Sequence, residues 1–344
     1  MLKVVSKTIK AKVIAPTNRK LGILEKEYQG FQDVIYGEGA DLYSATKQQA
    51  ERFLRRIKSP KHRHYPLILR RDVIRLERRD TKIAPYWFKF PCFGVKGGIW
   101  LALKPHCDIP GDCSIREAKL IRRKLAWFIH LTIERSVDEP DINPDRLLAV
   151  DLGERYLAVV CGDNGISPQF LGREVRGIRR HYAWLRKRLG ERKLLSTIKR
   201  VGHTEKRKVD AVCHKISRQI VNEAKETGST VVLGDLKSIR QRAKGKRMNR
   251  IVSNMPYYKL TQFIKYKAAW EGIAVLVIPE AYTSKACHRC GCLGSRPYQG
   301  LFLCHSCGLR YPADLNGARN ILKRAGEYIS PAGAALAQPV TQAS

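Results

Sequence analysis

Apolar residues along this chain follow two rhythms. Up to about residue 145 they alternate or recur at helical spacing; beyond it they gather into short continuous runs. Lys3 to Val13 reads as a strand ending at Pro16. Leu24, Tyr28, Phe31 and Ile35 recur every three or four positions, and Gln48 to Ile57 repeats the pattern around Ala50, Phe53 and Leu54. Residues 21–60 are therefore predicted to be mainly helical. Strand-like runs follow at Tyr65 to Leu69, Trp87 to Phe90, and Ile99 to Leu103 after Gly97-Gly98. The expectation is a small β module with a helical insertion. Residues 114–136 fit a helix or a strand pair equally well.

The later runs are sharper. Leu147 to Leu152 is an apolar run, broken only by Asp151, that stops at Gly153; Tyr156 to Asp163 is a second strand and the region of Phe170 a third. Residues 174–226 read as long helical material interrupted near Gly202. Thr230 to Leu236 is a fourth strand, and Ile273 to Ile278 a fifth. Between these two lies a helix from Pro256 to Trp270, with proline at its favoured start. Asp314 to Arg324 predicts a final helix. Three strands, then helix, strand, helix, strand, helix is the element order of an RNase H-like α/β fold. The last residues, 327–344, lack charge from Tyr328 onward, are rich in Ala, Pro, Gly and Gln, and read as a disordered tail.

Charge changes the picture more than length does. The chain has 344 residues, 44% of them hydrophobic, and a formal net charge of +34. A compact chain of that charge repels itself unless a polyanion neutralises it, which points to nucleic acid. A ribosomal or membrane-surface protein is the blander alternative. No apolar run approaches the roughly 18 residues of a membrane span, and the segment starting at Met1 carries no secretory pattern. A soluble, cytoplasmic, nucleoid-associated protein is expected.

Five of the ten cysteines lie between Cys287 and Cys307. Cys287-x-x-Cys290 and Cys304-x-x-Cys307 are two metal-ligand pairs, each followed by a glycine that permits a tight turn. Four thiolates suit structural Zn²⁺ in a closed tetrahedral site, which leaves no open position for chemistry. Clustering of this kind argues for metal and a reducing compartment rather than disulfides. Cys292 falls off the spacing, Cys107 and Cys113 have no second pair, and His288 and His305 are expected at solvent or a phosphate. Two acids flank chemistry-bearing elements. Asp151 stands at the carboxyl end of a buried strand, and Asp314 opens the final helix, where it also reads as an N-cap.

From about Leu147 to Leu322 the chain resembles the TnpB proteins, relatives of type V CRISPR nucleases and Fanzor proteins. The resemblance is carried by Ala149-Val150-Asp151-Leu152-Gly153, His214-Lys215-Ile216-Ser217, Val232-Leu233-Gly234-Asp235-Leu236, Tyr282-Thr283-Ser284-Lys285, the four-cysteine knuckle, and Asp314-x-Asn316-x-Ala318-x-Asn320. It implies a RuvC-type nuclease domain over 146–283 and 312–326, with a zinc ribbon inserted at 284–311. Before Leu147 only the layout matches. It implies a β-barrel-like wedge module at 1–20 and 63–145, holding a helical recognition insert at 21–62. The implied activity is Mg²⁺-dependent, RNA-guided DNA cleavage for a transposable element, with two Mg²⁺ ions. The implied partners are a guide RNA from the transposon end and double-stranded target DNA, bound by a monomeric ribonucleoprotein or a dimer. Asp151 and Asp314 align with the first and last catalytic acids.

One position departs from that family. Gly234 stands where a glutamate normally precedes Asp-Leu. Asp235 is adjacent, but neighbouring strand residues face opposite sides. Glu280 ends the fifth strand, and some relatives move the glutamate there, so Asp151, Glu280 and Asp314 form the expected triad. A catalytically inactive, repressor-like RNA-guided DNA binder is the rival reading. A DNA-strand transposase is a third, although no tyrosine or His-x-His signature for it is present. Lys237 to Arg250 contains no acid; Lys237, Arg240, Arg242, Lys244, Lys246, Arg247 and Arg250 are expected to contact phosphates, a solvated loop being the alternative. The run Arg173 to Arg192 suits a nucleic-acid backbone, with Trp184 and Leu185 in the core. Arg55-Arg56, Lys61 to His64 and Arg70 to Arg79 form a third basic region.

Overall fold

The computed structural model describes residues 2–57, 64–79, 81–163, 166–235, 254–279 and 283–329, with Gly245 and Asn249. They divide into two compact units, residues 2–137 and 138 onward.

The first unit is one seven-stranded sheet. Its strands are β1 (Leu2–Ile14), β2 (Leu67–Arg70), β3 (Arg75–Arg78), β4 (Tyr86–Phe90), β5 (Ile99–Pro105), β6 (Ser114–Arg123) and β7 (Ala126–Asp138). Their order is β2-β6-β7-β1-β5-β4-β3. Among the described residues this order leaves β2 and β3 as the edges of the sheet. Residues 114–136 are the strand pair β6–β7, turned at Lys124 with φ 53°. Two helices belong to this unit, α1 (Asn18–Tyr36) and α2 (Ser44–Arg56). Thr17 caps α1 by accepting from Lys20 N, and Gly37 ends it in the left-handed region at φ 87°. Leu24, Phe31 and Ile35 are fully buried, as their helical spacing requires.

The second unit is α/β. Its sheet holds β8 (Leu147–Asp151), β9 (Ala158–Gly162), β10 (Gln169–Leu171), β11 (Thr230–Asp235) and β12 (Val275–Pro279), in the order β10-β9-β8-β11-β12. β8 and β9 pair antiparallel, as do β9 and β10; β11 runs parallel to both β8 and β12. The two central strands, β8 and β11, are buried on both faces, which explains their unbroken apolar runs.

Helices cover both faces. α3 (Glu174–Glu191), α4 (Leu195–Thr227) and α5 (Tyr257–Trp270) lie on one side, over Leu148, Val150, Val231 and Leu233. α6 (Ala313–Ile329) lies on the other, over Leu147, Ala149, Val232 and Ile278. The helical break expected near Gly202 is absent, because α4 runs through it. A Cβ at Gly202 would meet nothing within 4 Å, so the residue costs helix propensity but forces no turn. The turn falls instead at Lys193, φ 53°, between α3 and α4. α4 stops at Gly228, whose N–H donates to Ala224 O and Lys225 O. α6 extends to Ile329, so residues 327–329, expected in a tail, are helical; the rest of that stretch lies outside the described residues. Between β12 and α6 stands a three-stranded ribbon, β13 (Ser295–Tyr298), β14 (Leu301–Leu303) and β15 (Arg310–Pro312).

Candidate active site

Asp151 is the last residue of β8, on the α6 face that Leu147 and Ala149 begin. Asp314 is the second residue of α6, inside its first turn. The helix N-terminus favours a negative charge there, but the residue is not the cap. The two acids meet through two glycines. A Cβ on Gly317 would lie 2.7 Å from Asp151 Oδ2, and one on Gly153 would lie 3.8 Å from Asp314 Oδ1. Gly317 is one helical turn beyond Asp314, and Gly153 is two residues beyond Asp151. Each carboxylate therefore lies against the glycine that follows the other.

Burial pushes the Asp314 carboxyl up from its usual range, with Arg296 and Arg155 pulling it down and Glu154 adding to the rise. Hard carboxylate oxygens in a half-buried setting suit Mg²⁺, and a cation there would offset the desolvation. None of these three neighbours is apparent from sequence spacing. They arrive through the ribbon and the loop after β8. Arg296 Nη2 donates to Ala313 O at 3.2 Å. The Arg155 guanidinium fills the space a Cβ on Gly300 would take, 1.8 Å away. Gln299 Nε2 donates to Glu154 Oε2 at 2.6 Å, and Arg176 reaches both Glu154 (3.4 Å) and Gln299 (3.5 Å).

Position 234 is explained by the pleat. Gly234 shares the α6 face with Val232 and pairs with Ile278 of β12. Asp235 follows Val231 and Leu233 onto the opposite face. It is therefore turned away from Asp151 and Asp314. Glu280 lies outside the described residues, as do Lys237, Arg240, Arg242, Lys244, Lys246, Arg247 and Arg250.

The knuckle cysteines converge. The Sγ atoms of Cys287, Cys290, Cys304 and Cys307 all lie within 4.8 Å of one another, the only such group among the described residues. Gly291 (φ 77°) and Gly308 (φ 70°) supply the left-handed turns. Cys292 contributes its carbonyl, not its thiol: Cys287 N donates to Cys292 O at 2.9 Å. Four convergent thiols fit a tetrahedral metal ion. His305 stays exposed, near Ser295 Oγ. His288 stays out of the metal group; it is half-buried, within hydrogen-bond distance of Asn316 and against the Tyr311 ring.

The basic segments are partly spent inside the protein. On α3, Arg179 and Arg186 both pair with buried Glu205 of α4, Arg179 at 2.8 Å. Trp184, expected in the core, is 56% exposed and carries the Arg188 guanidinium over its ring. The His214 to Ser217 segment is a helix junction: Lys267 Nζ of α5 donates to His214 O and Ser217 Oγ, each at 2.7 Å. In the first unit Arg52, Arg70, Arg71 and Arg116 line one groove with Asp72 and Glu117. No described helix is long and apolar enough to cross a membrane.

The family described as Cas12f1-like, TNB domain matches residues 257–321. A TnpB-like protein of Methanocaldococcus jannaschii is 33% identical over 144 residues, 40% of this chain and 52% of that one. A CRISPR-associated endodeoxyribonuclease, Cas12f1, of Sulfoacidibacillus thermotolerans is 28% identical over 62% of this chain and 54% of its own. A TnpB-like protein of Aquifex aeolicus is 27% identical over 60% of this chain and 76% of its own. The chain thus spans about half the length of the first two of these relatives. The matched family segment holds Asp314 and the four knuckle cysteines, and over part of its length the chain is similar to TnpB-like proteins.

Proposed function

We propose that this protein is an RNA-guided DNA endonuclease encoded by a transposable element, and that its second unit is an RNase H-like, RuvC-type nuclease domain with an inserted zinc ribbon. The observation that carries the reading is the reciprocal seating of Asp151 and Asp314 at the carboxyl end of the central strand. The strand order, with the first three antiparallel and the last two parallel to β8, supports the domain assignment.

Asp151, Asp314 and Glu280 would hold Mg²⁺. Bound there, the metal would supply an activated water and stabilise the leaving oxygen of a phosphodiester. The chain's own part is to bring the carboxylates together. Alternation along β12, with Leu276 and Ile278 on the α6 face, favours Glu280 as the third acid. Gly234 leaves the neighbouring position on that face without a side chain. The four cysteines would hold structural Zn²⁺, which takes no part in cleavage. The loop from Lys237 to Arg250 would grip phosphates. The net charge of +34 matches a guide RNA and double-stranded target DNA as partners.

The test is plasmid cleavage by the full chain with RNA transcribed from the DNA flanking its gene. Cleavage that survives Asp151→Ala unchanged would sink the reading. Gly234 motivates one alternative, an inactive RNA-guided DNA binder acting as a repressor. Glu280→Gln separates the two. Loss of cleavage with target binding retained supports the nuclease. Binding without cleavage by the parent protein, at any Mg²⁺ concentration, supports the binder.

A further inference from the structure

α6 divides its surface among three tasks. Leu315, Ala318, Ile321 and Ala325 pack on the sheet. Asp314 and Gly317 border the acid centre. Asn316 and Asn320, four residues apart and so on one stripe, turn to the metal knuckle. Asparagine is a poor helix former, so two of them at this spacing need a tertiary reason.

The hydrogen bonds provide one. Ala286, immediately before Cys287, offers its carbonyl to both amides: Asn316 Nδ2 donates at 2.8 Å and Asn320 Nδ2 at 2.7 Å. Both lone pairs of that oxygen are thereby used. Asn320 Nδ2 also donates to Thr283 O at 2.8 Å. Asn316 Oδ1 accepts from His288 N at 3.0 Å, which fixes the amide orientation. Reversing the amide would set donor against donor and oxygen against oxygen. Asn316 is 0% exposed, so each of these partners matters. The ribbon also holds the start of the same helix, where Ala313 N donates to Gly300 O at 3.1 Å and Ala313 O accepts from Arg296. Asp314 therefore sits between two ribbon attachments.

The ribbon has little else to hold its own shape. Its buried cluster is Cys287, Phe302, Cys304 and Ala313. A core that small does not fold without a staple, and the convergent thiols provide one when metal is bound. We infer that metal occupancy of the four-cysteine knuckle sets the position of Asp314, and that Asn316 and Asn320 are the positioning residues that transmit it. The link between knuckle and helix stands on the contacts above. Its consequence for cleavage rests on the proposed nuclease function.

Three measurements on the full chain test it. The first follows Zn²⁺ transfer from the loaded protein to a chromogenic chelator. Asn316→Ala and Asn320→Ala are each expected to release zinc at least about tenfold faster than the parent. The second compares amide exchange in zinc-loaded and stripped protein. Protection of residues 313–320 should fall on stripping, while that of β8 and β11 holds. The third measures the Mg²⁺ concentration that half-saturates cleavage, with zinc kept in excess; it should rise in both variants. Release within about twofold of the parent in both variants overturns the inference, and so does unchanged exchange on stripping. If Asn316→Ala fails to fold, Asn320→Ala, at a less buried site, still decides. If the parent never cleaves, the functional reading fails, and the first two measurements still judge the coupling.

Discussion

The two faces of the five-stranded sheet are made by the same strands and held by different forces. Among the described residues, the core that α4 and α5 share with the sheet holds twenty buried residues, almost all aliphatic or aromatic; the core shared with α6 holds ten. On the α6 side much of the hold is directional. Asn316 and Asn320 bind the knuckle, Ala313 binds the hairpin, and two glycines admit two carboxylates. Apolar packing tolerates small shifts, because no single contact in it is worth much. Hydrogen bonds and seated carboxylates do not. The difference assigns work: the α4/α5 face stores stability, and the α6 face spends its contacts on geometry. Substitutions on the first face should therefore change the folding equilibrium, and those on the second should change chemistry.

The sharpest break is at the acids. Asp314→Ala should lower cleavage at least about a hundredfold, because removing one oxygen ligand disrupts the whole metal set. Asp151→Ala should do the same, and the double variant should be no worse than either single one, as expected for residues that act as a unit. Thermal unfolding should barely move, or should rise, since Asp314 is held partly buried against its preference. A double variant whose loss is the product of the single losses would show that the carboxylates act independently.

Leu260→Ala tests the other face. Leu260 is fully buried in the α4/α5 core. Its truncation should destabilise the unit by about 2–5 kcal/mol, read from denaturant unfolding, while cleavage per folded molecule stays near the parent value. A large loss of specific activity without loss of stability would erase the division between the faces.

What could be read beforehand follows the same division. The runs Leu147 to Asp151 and Thr230 to Asp235 were legible as strands because burial on both faces leaves no polar alternation to confuse them. The knuckle was legible because its ligands come in close pairs. Gly202 misled, because glycine marks a turn only where the backbone needs it, and α4 has the length to absorb one. Trp184 misled in the other direction: helical spacing says which residues share a face, not whether anything covers it. The neighbours of Asp314 were invisible for a further reason. Glu154 and Gln299 are 145 positions apart, and no local pattern announces such a pair. The asparagines of α6 stood within the motif that carries the family resemblance, but their use became clear only with Ala286 beside them.

The finest test lies at a charge buried between α4 and α5. Lys267 is 5% exposed, and burial is the main cause that lowers its pKa to about 8, with Arg218 adding to the effect. The sign follows from proton uptake. Below pH 8 the lysine is charged in both states, and the native state bears the cost of holding that charge. Between about 8 and 10.5 the unfolded chain keeps a proton that the native state has shed, so stability should rise with pH across that window. The rise is on the order of 3 kcal/mol at most. Lys267→Met should flatten it and should stabilise the protein at neutral pH by some fraction of that amount. The replacement strands no partner, because Ser217 Oγ also donates to Cys213 O at 2.7 Å and to His214 O at 3.1 Å. A variant that lost stability at pH 7 would mean that the ammonium holds α4 to α5 in the way Asn316 and Asn320 hold α6 to the knuckle. The two faces would then differ in degree rather than in kind.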